Sequence, residues 1–211
     1  MNGLTEQMKA WEGKFGQDYT DRNFLSLEEM ELNWKRHFGI TRTEANKEFL
    51  DGIDGRILEV GCNIGNQLLC LQKMGFRNLY GIELQDYAVE LSKSRTKGIN
   101  IIQGSAFDIP FKDNSFNLVF TSGVLIHIAP GNIDEVLAEI YRCSNTYIWG
   151  HEFFAEDYTE IEWRGERNLL WKTNFAKLWR THFPELKLVK ERRFKYIQGE
   201  NVDTMFLLRK T

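Results

Sequence analysis

The residues whose types and spacing point to chemistry are two carboxylates and two glycines. Glu59 and Glu83 end two short apolar runs, Arg56–Val60 and Leu79–Glu83. Between them, Glu59-Val60-Gly61-Cys62-Asn63-Ile64-Gly65-Asn66 sets Gly61 and Gly65 four positions apart. Glycine lets the main chain turn sharply and lets a ligand approach it closely. A dinucleotide fingerprint would need glycine at 61, 63 and 66, and Asn63 and Asn66 break it; no Gly-Lys-Ser/Thr run is present to cradle phosphates. An acid ahead of the loop favours a ligand with positive charge over a pyrophosphate. Glu83, at the end of the next strand, can accept hydrogen bonds from both hydroxyls of a ribose. Together these residues describe an adenosine joined to a cationic group.

A sheet with strand ends side by side must position them. Residues 1–50 read as a polar, amphipathic helical cap. Ser26-Leu27-Glu28-Glu29 has capping-box spacing, and Thr41-Arg42-Thr43-Glu44 is a second helix start. Asp51-Gly52-Ile53-Asp54-Gly55 is a loop that separates the cap from a second unit, 51–211. Strands are expected at 56–60, 79–83, 99–102, 116–120, 147–150, 186–189 and 204–208. Helices are expected from Leu68 to Met74, through Ala88 and Leu91, from Ile133 to Tyr141 and from Lys172 to His182. Strand and helix in alternation give an α/β fold, a mostly parallel seven-stranded sheet with helices on both faces. The last two strands have no helix between them, so they pair antiparallel at one edge.

S-adenosylmethionine fits the ligand so described. The residues resemble the S-adenosylmethionine-dependent methyltransferases of the Rossmann-like class over about 56–153. Glu59 to Gly65 is similar to that family's first motif, with Asn63 in the middle glycine position, and Glu83 matches its ribose-binding acid. Gly104-Ser105-Ala106-Phe107-Asp108-Ile109-Pro110-Phe111, followed by Asp113-Asn114-Ser115-Phe116, is similar to the adenine-side loop and the start of the fourth strand. Ser105 and Asn117 depart from it, each standing where the family often has Asp. The resemblance implies a cofactor site of Glu59, Gly61, Cys62, Asn63, Gly65, Glu83, Leu84, Ser105, Ala106, Phe107, Thr121, Ser122 and Gly123. A closer resemblance, to the pseudaminic acid biosynthesis-associated methylases, spans nearly the whole chain. Trp11-Glu12-Gly13-Lys14-Phe15-Gly16-Gln17-Asp18-Tyr19 with Arg22-Asn23, Gly123 to Ile128, Glu139 to Asn145 and Trp163-Arg164-Gly165 carry it. It implies a sugar-like acceptor, such as a nonulosonic acid or its precursor, in surface-glycan synthesis.

Other residues leave alternatives open. His127, after the fourth strand, is either the general base or a residue that shapes the pocket. Trp11, Phe15, Tyr19 and Arg22 either pack on the domain or form a lid that presents Tyr19 and Arg22 to a carboxylate. His151 and Glu152, past the fifth strand, are expected near substrate; with Asp157 they match no metal-ligand spacing, and no metal is expected. Lys190, Arg192, Arg193 and Lys195 form a basic run that alternation in a strand would split between two faces. Lys and Arg number 27 against 30 Asp and Glu, so no basic field draws nucleic acid or an anionic membrane. Cys62, Cys70 and Cys143 form no CxxC pair and read as reduced, buried residues. With no leader pattern in Met1 to Gln7 and no membrane-length apolar run, the expectation is a cytoplasmic monomer or homodimer. Rival readings are a methyltransferase of a protein or RNA acceptor, and a catalytically silent cofactor-binding subunit.

Overall fold

The computed structural model describes residues 4–211. Met1, Asn2 and Gly3, part of the run read for a leader, lie outside the described residues. Four helices come first: α1 Glu6–Glu12, α2 Lys14–Arg22, α3 Leu27–Phe38 and α4 Arg42–Leu50. Both expected helix starts are formed, each closed by a capping box. Ser26 and Thr41 accept from the amides of Glu29 and Glu44, whose carboxylates return to the cap amides. Then follow β1 Arg56–Val60, α5 Asn66–Lys73, β2 Asn78–Glu83, α6 Asp86–Arg95, β3 Asn100–Gln103 and β4 Phe116–Ser122. The chain continues through α7 Ile133–Cys143, β5 Ser144–Phe153, β6 Thr159–Glu160, β7 Trp171–Lys172, α8 Phe175–His182, β8 Lys187–Lys195 and β9 Val202–Arg209.

The main sheet has seven strands in the order β3-β2-β1-β4-β5-β9-β8. Strands β1 to β5 are parallel, β9 runs antiparallel to β5, and β8 antiparallel to β9. Strand order reverses between β1 and β4, and a crevice opens at such a point beyond the carboxyl ends. Side chains alternate between two apolar layers. Leu58, Val119, Ile148 and Phe206 pack with Val136, Leu137 and Ile140 of α7 and Trp179 of α8. Ile57, Leu118, Phe120 and Trp149 pack with Ala45 and Phe49 of α4 and Leu68 and Leu71 of α5. The second half of the N-terminal segment thus belongs to the core, and α1 and α2 lie over the crevice. Among the described residues no helix is long and apolar enough to cross a membrane.

Two local expectations are corrected. The helix expected from Lys172 begins at Phe175, because Asn174 accepts from the amide of Lys177 and sets the start there. Trp171 and Lys172 instead pair with Glu160 and Thr159 in a small hairpin that the sequence reading lacked. The strand expected at 186–189 runs on to Lys195 and takes in the basic run. Arg192 pairs with Glu48 and its neighbour Arg193 with Glu156, so the alternation does divide them.

Gly150 sits on β5 opposite Phe206, and a Cβ there would lie 2.2 Å from the Phe206 ring. Gly150→Ala is expected to lower stability by about 1–3 kcal/mol through overpacking. Urea unfolding measures it, and an unchanged midpoint would contradict this packing.

Candidate functional site

The loop after β1 is shaped by its main chain. Gly61, Asn63 and Gly65 have φ of 70°, 48° and 77°. The amides of Gly61 and Cys62 both donate to the Ile82 carbonyl, at 2.9 and 3.0 Å, so the loop curls over β2. A Cβ on Gly61 would meet Val124 Cγ2 at 2.7 Å, so both its φ and this neighbour require glycine. Glu83 completes the turn: Oε2 accepts from the Asn63 amide at 2.8 Å and Oε1 from the Gln85 amide at 2.9 Å. The Gln85 side chain then reaches the cap. Its Nε2 donates to the Trp11 carbonyl at 2.7 Å, and its Oε1 accepts from Thr20 Oγ1 at 3.2 Å. Asn63 Nδ2 donates to the same Thr20 oxygen at 2.8 Å.

Under α1 and α2 lies a cavity of about 510 Å³, the size of a small-molecule site. It brings together Glu59, Gly61, Cys62, Asn63, Glu83, Leu84, Ser105, Ala106, Phe107, Ser122 and Gly123 with Trp11, Tyr19, His127, His151 and Glu152. Three residues expected in the site do not line it. Gly65 is buried in the turn behind the loop, Thr121 is buried in β4, and Arg22 is exposed at the end of α2. Ser105 Oγ accepts from the Phe107 amide at 3.1 Å and turns the loop after β3. Asn117 is accounted for away from the site, since its Oδ1 holds the Arg56 amide at the other end of β1.

Burial governs the charged groups. Glu59 is buried and its Oε2 has no hydrogen-bond partner. Desolvation pushes its carboxyl well above the usual range against the pull of Arg42, with Glu83 adding to the rise. Glu83 is also raised by burial, although the amides of Gln85 and Asn63 oppose it. Burial raises Glu152 to about 7, and its oxygens accept from the Val124 and Ile126 amides at 3.2 and 3.4 Å. His127 Nδ1 lies 2.6 Å from the Leu169 carbonyl, so Nδ1 carries the proton and Nε2 is left to accept. Burial lowers this imidazole to about 4. Its ring packs against Trp11 at 4.6 Å and Trp163 at 5.2 Å between centroids.

Sequence reasoning missed Trp34, Arg42, Tyr196 and Asp203 among the lining residues, and Trp163, which packs against Trp11 and His127. Arg42 opens α4, and the capping box at Thr41 announced that helix without showing that its first residue faces a cavity. Its guanidinium lies 4.5 Å from the Trp34 ring, 2.9 Å from Ser122 Oγ and 3.1 Å from His151 Nδ1. Burial lowers it to about 10. Cys62, Cys70 and Cys143 are free and buried. Among the described residues no group of His, Cys, Asp or Glu is placed to hold a metal.

These features fit an adenosyl cation. The loop is left-handed at three positions, an acid stands at the end of β2, and a buried carboxylate oxygen at the end of β1 has no hydrogen-bond partner.

Comparison with known proteins agrees. Residues 58–146 match the family described as a methyltransferase domain. The 24-methylenesterol C-methyltransferase 2 of Arabidopsis thaliana is 30% identical over 121 residues, 51% of this chain and 33% of that protein. An uncharacterized methyltransferase of Staphylococcus carnosus is 33% identical over 91 residues, 43% of this chain and 42% of that protein. The chain thus spans well under half the length of these curated relatives. Among solved structures, the 1,6-didemethyltoxoflavin-N1-methyltransferase of Burkholderia thailandensis, bound to 1,6-didemethyltoxoflavin and S-adenosylhomocysteine, superposes with a TM-score of 0.75. It is 15% identical and the match covers 100% of this chain and 92% of that one, a likeness of fold.

The Glu152 carboxyl gives a pH signature. Its folded value, about 7, lies above the unfolded 4.5, so its contribution to stability is complete below 4.5 and is lost as pH rises through 7. Glu152→Gln is expected to gain on the wild type by roughly 3 kcal/mol between pH 4.5 and 8. Urea titrations of both proteins at the two pH values test this, and a pH-independent difference would contradict the shift.

Proposed function

We propose that this chain is an S-adenosylmethionine-dependent methyltransferase acting on a small molecule. The observation that carries the reading is Glu59 and Glu83 flanking a left-handed glycine loop at the point where strand order reverses. When bound, the cofactor supplies an electrophilic methyl group on a sulfonium. Glu83 holds the ribose hydroxyls, with its carboxylate already oriented by two amides. The loop after β3, from Ser105 to Phe107, borders the adenine. Glu59 takes the ammonium end. Ser122 and Gly123 border the sulfonium side, next to His127 and Glu152.

The protein's main contribution is alignment and exclusion of water, which can lower a barrier by several kcal/mol. Helices α1 and α2 form the lid. Trp11 and Tyr19 touch each other, with ring centroids 5.1 Å apart, and Trp11 closes on His127 and Trp163. A cavity roofed in this way favours a small acceptor over a polymer. Resemblance over nearly the whole chain favours a sugar, a nonulosonic acid or its precursor, methylated in the cytoplasm by a monomer or homodimer. His127 shapes the pocket, since burial keeps it neutral and a weak proton acceptor against the opposing pull of the Leu169 carbonyl.

Three measurements test this. Glu83→Ala should weaken S-adenosylmethionine binding by about 1–3 kcal/mol in calorimetry, partly by freeing the two loop amides; unchanged affinity would remove Glu83 from the ribose site. His127→Asn should keep methyl transfer within about tenfold, because Asn can still donate to Leu169. A loss of roughly 10²–10⁴ with cofactor affinity intact would instead make His127 the base. Deletion of residues 1–22 should leave a folded domain that binds cofactor loosely and transfers nothing, and full transfer by it would defeat the lid.

A further inference from the structure

We propose that the acceptor enters the part of the cavity under α1 as an uncharged ring, and that Trp163 is the wall that selects it. This rests on the methyltransferase reading above. Trp163 belongs to the segment between β5 and α8, outside residues 58–146 that match the methyltransferase family, so the wall is an addition to the matched domain.

Charge is unevenly spread over the cavity. Among the described residues that line it, the acidic and basic side chains are Arg42, Glu59, Glu83, Glu152 and Asp203, and all stand at or next to strand ends or at the start of α4. The part under α1 is lined by Met8 and Trp11 of that helix, Ile128 after β4, and Trp163 and Leu170 beyond β5, none of them charged. Burial keeps the neighbouring His127 imidazole unprotonated and the Tyr19 phenol protonated at neutral pH. Glu152 uses both oxygens to hold the Val124 and Ile126 amides, so it is not free to pair with a cation there.

The segment that carries Trp163 is held in place on two sides. It closes on itself where the Ile161 amide donates to the Leu170 carbonyl at 2.9 Å. His127 Nδ1 then grips its Leu169 carbonyl at 2.6 Å, and Gln7 Nε2 of α1 donates to its Asn168 carbonyl at 3.0 Å. Ring centroids of His127, Tyr19 and Trp11 consequently lie 5.2, 6.0 and 6.1 Å from that of Trp163. Such a wall offers large apolar faces to a ring, and His127 Nε2 offers one acceptor to a neutral O–H or N–H. An anion brought here finds no cation, and a cation finds no free carboxylate, so either loses its hydration without a partner. Between a nonulosonic acid and its precursor, this part of the cavity favours an uncharged precursor.

NMR titration of the full chain saturated with S-adenosylhomocysteine tests this with two rings. One is N-acetylneuraminic acid against its uncharged methyl ester, and the other is benzamide against benzoate and benzylamine. For at least one ring, wild type should bind the uncharged form about tenfold or more tightly than any charged form. Trp163→Ala should weaken that form about tenfold while S-adenosylhomocysteine affinity stays within about threefold. Met8→Lys, which puts a cation under α1, should erase or reverse the preference over the carboxylate. A charged form that binds wild type as tightly as the uncharged one, for both rings, overturns the proposal, and so does binding by neither ring. A Trp163→Ala protein that binds like wild type also overturns it. If that variant does not fold, Met8→Lys decides, since an unchanged preference would place the uncharged ring elsewhere. Failure of wild type to bind S-adenosylhomocysteine defeats the cofactor reading, and this inference with it.

Discussion

Glu83 fastens three parts of the molecule at one point. Its two oxygens accept from the amides of Asn63 and Gln85, tying the loop after β1 to the turn after β2. Gln85 then grips the Trp11 carbonyl and Thr20, and Thr20 grips Asn63, which closes a ring of polar contacts between loop, turn and cap. A carboxylate that holds two backbone donors is oriented before any ligand arrives, and this one lines the cavity. Helices α1 and α2 are therefore seated on the loop after β1 and the turn after β2.

The second constraint is the polar edge above the apolar layers. Five side chains that the fold would otherwise exclude from its interior, Glu59, Glu152, Arg42, His151 and Asp203, are gathered at the carboxyl ends of β1 and β5, the amino end of the antiparallel β9 and the start of α4. Desolvation is the largest influence on Glu59, Glu152, Arg42 and His151. Such a cluster costs stability when its members lack partners, and binding of a ligand with complementary charges offsets that cost. Its persistence in an otherwise apolar surround marks it as a site in physical terms.

Much of this was legible in the sequence because short-range rules govern it. Alternating strand and helix patterns gave the parallel sheet, the runs at Ser26 and Thr41 marked two helix starts, and Gly61 and Gly65 marked the turn after β1. What escaped notice depends on contacts between distant segments. Arg42 and Asp203 are 161 positions apart and meet only through His151. Gln85 and Thr20 are ordinary polar residues until the cap docks. The hairpin of β6 and β7 pairs two residues with two, too short a run for any period to register. Arg22 stood out because it follows Trp11, Phe15 and Tyr19 in sequence, yet it is exposed at the end of α2.

The central claim is that one cavity, built by the loops after β1, β2, β3 and β4 and roofed by α1 and α2, receives an adenosyl ligand. Hydrogen–deuterium exchange with and without S-adenosylhomocysteine tests it most directly, since local opening is what exchange reports. The account predicts slowed exchange in residues 61–66, 84–86, 104–107 and 123–127, together with 6–22. Unchanged exchange at saturating ligand, or protection confined to other segments, would contradict it.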